Sequence, residues 1–419
     1  MSDASRRMAT DDRASCHPSR RPASLRSAGL LRMRSGEFEL IVFIVSIHPA
    51  VWLAGAGPIM IGRCTHFKAT WSGFSAPAQL PKAGPSMTAA KYDVLGIGNA
   101  IFDVLVQTDE GFLRHHGMAK GGMALIDEAR AAAIYRDMGP AVEMSGGSAA
   151  NTIVGVANLG ARAAYVGKVR DDRIGRLYTH DIRAAGVAFE TKPASDGPAT
   201  GCSYILVTPD GERTMNTYLG AAQELGPSDI DAAQVAASSV IYLEGYLWDP
   251  KNAKDAFVKA ATIAHDAGRQ VALTLSDAFC VDRYRGEFLD LMRSRTVDLV
   301  FANETELHSL YRTSDFDGAL RQLRTDVKLG IVTRSEKGCV VASSEGVTAV
   351  PAFPIDKMVD TTGAGDLFAA GFLFGLVRGF GHENAGRLGA LAAAEVIQHI
   401  GARPQVSLKE LAQQNGLPV

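Results

Sequence analysis

Asp360-Thr-Thr-Gly-Ala-Gly-Asp366 packs two carboxylates, two hydroxyls and two glycines together, and an almost wholly apolar run, Leu367 to Val377, follows it. A Gly-Ala-Gly turn entering a helix leaves the first backbone N–H groups of that helix without intrahelical acceptors, and the helix dipole adds positive potential at the same point. A turn of this kind receives an anion, and bare backbone lets the anion come close. Gly363, Ala364 and Gly365 are therefore candidate donors to the charge on a transferring phosphoryl group. Asp366, one residue on, is placed to take the proton of an attacking hydroxyl. An Asp here also suits helix capping, but capping accounts neither for the paired glycines nor for the second acid, Asp360.

Other stretches carry compatible chemistry. Asn303-Glu-Thr-Glu306 follows the apolar run Val297 to Ala302. Asn303 and Glu306 offer hard oxygens suited to a water-rich Mg²⁺ site beside phosphates; a capping box fits the same residues equally well. Thr333 to Val341 reads as strand, polar turn, glycine, strand, so that Thr333 and Gly338 can rest against a nucleotide phosphate or simply close a hairpin. Asn99 and Asp103 bracket the end of the first apolar run. Ser145 to Thr152 sets Gly146 and Gly147 before a helix, with Asn151 on its first turn. Paired glycines admit a flat substrate close to backbone, and Asp103 and Asn151 are able to bond the hydroxyls of a polyol, a site that rejects analogues lacking them. Each alone reads equally as a loop acid or a helix-start Asn. Two common nucleotide motifs fail. Gly96-Ile-Gly98 has Ile101 where the third glycine should stand, and around Gly167-Lys168 the P-loop's first glycine and its Ser/Thr are both missing.

These residues need elements to hold them. From Lys91 onward, short apolar or β-branched runs (YDVLGIG, AAYVGKV, SVIYLEG, QVALTLS, VDLVFAN, KLGIVTRS) alternate with helical patterns such as ANTIVGVANLGA, IGRLYTHDIRAAGV and AKDAFVKAATIAHDAG. The alternation predicts an α/β fold: a mostly parallel central sheet with helices on both faces. Ligands of such sheets bind outside the carboxyl ends of the strands. Two parts break the pattern. FDVLVQ followed by GGMALID, and GCSYILVTPDGERTMNTY turning at Pro209-Asp210-Gly211, read as hairpins. They predict a small β lid inserted near residues 103–127 and 199–220, an ordinary edge hairpin being the plain alternative.

The 419 residues, 47% hydrophobic and 21% charged, are ordinary for a globular protein with a sizeable core. A net charge of −2 gives no whole-chain attraction to nucleic acid or anionic lipid. Five dispersed cysteines without a C-x-x-C make neither a disulfide framework nor a zinc site. Residues 1–86 read differently, first Arg- and Ser-rich, then with an uncharged stretch from Leu40 to Gly62 long enough for a bilayer but interrupted by Pro49 and Pro58. A membrane anchor, a transit peptide and translated upstream sequence compete there. The expectation is the last, with Met87 as the natural start of a cytoplasmic enzyme domain spanning 87–419.

Taken together the motifs resemble the ribokinase-like (PfkB) carbohydrate kinase family, over about Tyr92 to Leu411. DTTGAGD, Gly146-Gly147 with Asn151, and Asn303 with Glu306 are the most specific parts. Within that family GNAIFDVLV, SGGSAANTIVGVANLGARAAYVGKVRDDRIG, GERTMNTYLGA, YLEGYLWD and FANETE look most like bacterial adenosine kinases, although Thr362 stands where those often have Asn. The resemblance implies phosphorylation of the adenosine 5′-hydroxyl by ATP, in purine salvage, with Asp366 as general base and Gly363 to Gly365 as anion hole. It implies that Asp103 holds the ribose hydroxyls with Asn99, Gly146, Gly147 and Asn151 nearby, and that Asn303, Glu306, Thr333 and Gly338 serve ATP, Glu306 organising Mg²⁺ indirectly. It further implies a K⁺-type monovalent cation at Asp360 and Thr362, reach of Arg170 to the phosphates or into a surface ion pair, and a monomer or homodimer. Tyr218, Tyr246 and Trp248 are candidates to stack on the base, each equally at home in a core. The same chemistry on another nucleoside or a sugar, a non-catalytic nucleoside-binding relative, and a membrane-tethered kinase are the rival readings.

Overall fold

The computed structural model describes residues 90–419; residues 1–86, with the Leu40–Gly62 stretch and the expected start at Met87, lie outside the described residues. Along the chain the strands are β1 (Tyr92–Ile97), β2 (Ile101–Gln107), β3 (Met123–Leu125), β4 (Val142–Gly146), β5 (Ala163–Val166), β6 (Val187–Phe189), β7 (Gly201–Val207), β8 (Arg213–Tyr218), β9 (Ser238–Glu244), β10 (Gln270–Thr274), β11 (Leu299–Asn303), β12 (Leu329–Thr333), β13 (Cys339–Ser343) and β14 (Val347–Val350). Nine form one sheet in the order β14-β13-β12-β11-β10-β9-β1-β5-β6. It is parallel from β12 through β6, and only β13 and β14 run antiparallel. The α/β fold with a mostly parallel sheet is the one expected.

Both faces of this sheet are buried, which is why its strands read as unbroken apolar runs. Along β9, Val240 and Tyr242 enter one core cluster while Ile241 and Leu243 enter the other. The first cluster is completed by helices Arg173–Ala184, Ser148–Asn158, Ala364–Val377 and Gly381–Val396, through Tyr178, Ile153, Phe372 and Leu388. The second is completed by helices Lys251–Asp266, Ala278–Arg293 and Phe316–Asp326, through Phe257, Phe288 and Leu323.

The uniformly apolar helix after DTTGAGD is explained here. Ala364–Val377 packs against both the sheet and helix Gly381–Val396, which itself rests on β13 and β14. Phe372 meets Phe301 of β11 edge-on at 5.6 Å. A Cβ on Gly371 would come within 2.4 Å of Leu388 O, so glycine is what lets the two helices touch. On its other side a Cβ on Gly155 would meet the Ala370 Cβ at 2.6 Å, so the Ser148 helix also packs at backbone distance.

The remaining five strands make the lid, in the order β3-β8-β7-β2-β4. The β7–β8 hairpin forms as expected, Gly211 taking a positive φ of 84° in its turn. The other expected hairpin does not. β2 pairs antiparallel with β4 and parallel with β7, while β3 runs parallel to β8. The reason lies in burial. β2 is apolar and covered on both faces and so takes an interior place, whereas β3 is short and exposed and so takes an edge. β4 lies beyond the expected lid segments because a five-residue Val-Glu-Met-Ser-Gly run carries little strand signal on its own. Among the described residues no helix is long and apolar enough to cross a membrane.

Candidate active site

Two helix N-termini converge at the carboxyl edge of the large sheet. Gly147, with φ 97°, caps helix Ser148–Asn158, and Gly363, with φ 79°, caps helix Ala364–Val377. Neither has a side-chain cap, so the first-turn N–H groups depend on other partners. Both positions require glycine. A Cβ on Gly147 would strike Asn99 O at 2.2 Å, and one on Gly363 would strike the Ala402 Cβ at 2.7 Å. Gly365 faces open space, where a Cβ would meet nothing within 4 Å. The Ala364 N–H turns back to Thr361 O at 3.2 Å, which leaves Gly365 and Asp366 as the first-turn groups facing outward.

Asp366 stands half-buried at the meeting point. Ser148 Oγ donates to its Oδ1 at 2.6 Å and Asn151 Nδ2 donates to its Oδ2 at 3.1 Å. Burial pushes its carboxyl up to about 6, against the pull of these two bonds and of the Arg403 guanidinium. A carboxylate with a value this close to neutrality is suited to accept a proton there. Asn151 is buried and its Oδ1 has no partner, leaving an acceptor turned into the same group.

Asp103, on β2, comes from the lid. Its carboxylate lies against the Cα of Gly146, where a Cβ would be 2.1 Å from Oδ2. Burial raises it to about 7, Arg403 and Arg213 pulling it down and the Asp366 charge pushing it up. Asp103, Gly146, Gly147, Asn151 and Asp366 are thus brought together. Asn99 has a different task. Its Nδ2 donates to Glu244 Oε1 at 2.8 Å and its own N–H to the same atom at 3.3 Å, in a buried setting. Glu244 Oε2 accepts from Ala149 N at 2.8 Å. Asn99 is committed to this buried bridge, which ties the ends of β1 and β9 to the Ser148 helix.

Asn303 and Thr333 are register partners at the carboxyl ends of β11 and β12. Asn303 and Glu306 form a capping box: Glu306 N donates to Asn303 Oδ1 at 2.8 Å, and Asn303 N and Nδ2 donate to the two carboxylate oxygens at 3.0 and 2.5 Å. Glu306 is buried and pushed up to about 7 by burial. With both oxygens engaged, it fits a divalent ion only through intervening water. Gly338 has φ 81°, and a Cβ there would meet Val350 O at 2.1 Å, so it reverses the chain against β14.

Asp360 and Thr362 do not fit a monovalent cation. Arg213 Nη2 is 2.5 Å from Asp360 Oδ2, and Arg213 Nη1 donates to Thr362 Oγ1 at 3.0 Å. Thr362 N and Gly401 N donate to the Asp360 oxygens at 3.0 and 2.9 Å. Arg170 is not part of the group. It bonds Gly197 O and lines a separate surface cavity with Arg176, His180 and Arg183. Trp248 is a core residue, packed on Phe257 and Phe288 with its N–H on Glu287. Tyr246 is tied to Ser276 O, and Tyr218 reaches Glu128 within the lid.

Sequence reasoning missed Ser148, Glu244, Arg213 and Arg403. Glu244 had a signal, an acid closing an apolar strand. Arg403 had none. It comes from the loop after the last large helix, and bonds Ser145 O at 2.7 Å and Ala150 O at 3.4 Å.

A model of the pfkB family of carbohydrate kinases matches residues 139–408. The chain belongs to that family. It is a phosphotransferase with a hydroxyl acceptor, for which family membership implies ATP as co-substrate and a nucleoside or sugar as acceptor. The structure is similar to an adenosine kinase from Sinorhizobium meliloti, 58% identical, with a TM-score of 0.73, covering 78% of this chain and 100% of that one. A probable sugar kinase from Rhizobium etli is 55% identical, with a TM-score of 0.74 and the same coverage. An ATP-dependent ribose-1-phosphate kinase from Halopiger xanaduensis is 32% identical over 55% of this chain and 73% of its own length. The names of these relatives point to different acceptors, so family membership sets the class of reaction and leaves the acceptor open.

Proposed function

We propose that this kinase phosphorylates the 5′-hydroxyl of adenosine with ATP, in the cytoplasm and within purine salvage. The observation that carries the reading is the character of the lid face bearing Asp103. Side chains two apart on a strand share a face, so Leu105 accompanies Asp103. The register aligns Leu105 with Ile205, and Ile205 with Met215. Leu105 and Ile205 form a small apolar cluster with Val207, and Met144 and Met215 pack against it. One lid face therefore carries a carboxylate for vicinal hydroxyls and, beside it, a buried apolar cluster edged by the half-buried Met144 and Met215, against which a flat base lies in this reading. A free sugar has hydroxyls for the first and nothing for the second. The 58% identity to the Sinorhizobium meliloti protein supports the same reading.

In this reading Asp103 accepts from the ribose hydroxyls over the Gly146-Gly147 backbone, and Asn151 orients Asp366. Asp366 takes the 5′-hydroxyl proton as that oxygen attacks the γ-phosphorus of ATP, and the bond from γ-phosphorus to the β,γ-bridging oxygen breaks to release ADP. The outward-facing N–H groups of Gly365 and Asp366, at the end of the Gly363 to Gly365 turn, and the helix dipole behind them stabilise charge on the phosphoryl oxygens. Asn303 and Thr333 line the ATP side. A divalent ion held through water near Glu306 would neutralise ATP phosphates. The testing experiment offers ATP, Mg²⁺ and a panel of nucleosides and sugars to the protein and measures phosphorylated product. Highest kcat/KM on adenosine is expected. Highest kcat/KM on a hexose or on free ribose would overturn the reading.

A further inference from the structure

Asp360 opens the turn that carries the anion hole, and its side chain is only 2% exposed. A carboxylate in that setting needs a positive partner. The partner present is Arg213, the first residue of β8, whose side chain is 10% exposed and which reaches from the lid to this turn. One guanidinium nitrogen faces Asp360 Oδ2 at 2.5 Å and another donates to Thr362 Oγ1 at 3.0 Å. The same two side chains are those that would hold a monovalent ion. A guanidinium offers donors and no acceptor, so it cannot share them with a second cation as a ligand would. Two like charges against one enclosed carboxylate repel strongly. The backbone N–H groups of Thr362 and Gly401 take up further acceptor positions on Asp360, leaving it committed on all sides.

We infer that Arg213 takes the place of a monovalent cation in this enzyme. The positive charge that balances Asp360 and holds Thr362 is covalently part of the lid, and the turn leading to Gly363 is held by the protein itself. The state of the anion-hole turn is thereby coupled to the position of β8, which also carries Met215 on the acceptor-facing lid face. Activity needs no K⁺. The effect on rate rests on the reading of Gly363 to Gly365 as the phosphoryl-binding turn; the occupancy of Asp360 does not.

The test uses the full chain in three measurements: anomalous scattering from Rb⁺-soaked crystals, the melting temperature, and turnover, the last two in K⁺ and in tetramethylammonium at equal ionic strength. For the unaltered protein we expect no Rb⁺ peak at Asp360, no shift in melting temperature and a turnover change below about twofold, since an ion bound to the native state would stabilise it in proportion to RT ln(1 + [L]/Kd). Arg213→Gln, which removes the charge, is expected to gain a Rb⁺ peak at Asp360 and a K⁺-dependent rise in melting temperature. Arg213→Lys, which keeps the charge, is expected to stay insensitive. A Rb⁺ peak bonded by Asp360 in the unaltered protein, or an Arg213→Gln protein indifferent to K⁺ in both crystal and melt, overturns the inference. Absence of turnover on every nucleoside and sugar would overturn the proposed function instead and leave the scattering and melting results to decide this one.

Discussion

Asn151 donates its side-chain N–H to Asp366 across 3.1 Å, joining the first turn of one helix to the first turn of another. Ser148 adds a second bond at 2.6 Å from the same helix. The carboxylate is thus held from the Ser148–Asn158 helix while it belongs to the Ala364–Val377 helix. The two glycine-capped helix starts are fixed relative to each other by the close packing at Gly155 and Ala370 behind them.

Replacing Asp366 by Asn keeps the shape and removes the base. Turnover should fall by roughly 10²- to 10⁴-fold, the usual worth of a positioned general base, with substrate binding retained. Single-turnover kinetics alongside equilibrium adenosine binding checks this; a near-normal rate would remove Asp366 from the proton transfer.

The pH profile follows from the raised Asp366 carboxyl, about 6 against an ordinary 3.8. The active form is the carboxylate, so kcat/KM should be full above that value and lost as pH falls through it. Ser148→Ala and Arg403→Gln each remove an influence that holds the carboxyl down, so each should move the acid limb to higher pH. An unmoved limb in both variants would mean that another group sets it.

Glu244 bridges Asn99 and the Ser148 helix from a buried position and is raised to about 7 by burial. Glu244→Gln keeps one acceptor oxygen where two were used. A buried donor left unpaired costs about 1–3 kcal/mol, so urea unfolding should show a loss of that order. The pH dependence has a definite sign. A carboxyl raised in the folded state binds protons that the unfolded chain has released, so its contribution to stability falls as pH rises from about 4 to about 7. The variant should flatten that slope.

Gly146→Ala would drive a Cβ to 2.1 Å from the Asp103 carboxylate. Overpacking of this kind typically costs about 1–3 kcal/mol, and here the side chain displaced is the one assigned to the ribose hydroxyls. KM for adenosine should rise more than kcat falls. A kcat effect with KM unchanged would place Asp103 elsewhere in the reaction.

Met215→Ala removes apolar surface from the lid face beside Asp103. Loss of a contact of this size is worth about 1–3 kcal/mol, or roughly tenfold or more in kcat/KM. The loss should appear for adenosine and be absent for ribose as acceptor. Equal losses on both would detach the apolar cluster from base recognition.

Much of the fold was legible because periodicity alone encodes it. Runs such as Val240 to Leu243 are apolar on both sides, so they had to be interior strands of a parallel sheet, and Gly-Ala-Gly before an apolar run had to be a turn entering a buried helix. Local chemistry also exposed the residues of the two helix starts, since glycines and a following Asp or Asn announce themselves in a few positions. Pairing inside the lid was not legible. Which edge a short strand such as Met123–Leu125 finds depends on what the other strands leave exposed, and that is settled only when all of them meet. The partners of charged groups were hidden for the same reason. Asp360 and Thr362 offer oxygens that suit a cation, and nothing near them in sequence says that Arg213 will arrive from the lid. Arg403 lies 37 positions beyond Asp366 and yet faces both it and Asp103. Short stretches of chain were enough to specify the sheet, the two glycine-capped helix starts and hence the class of reaction. Which groups share a cleft was settled by the assembled fold, because burial, charge balance and the pKa of each carboxyl depend on neighbours supplied by distant parts of the chain.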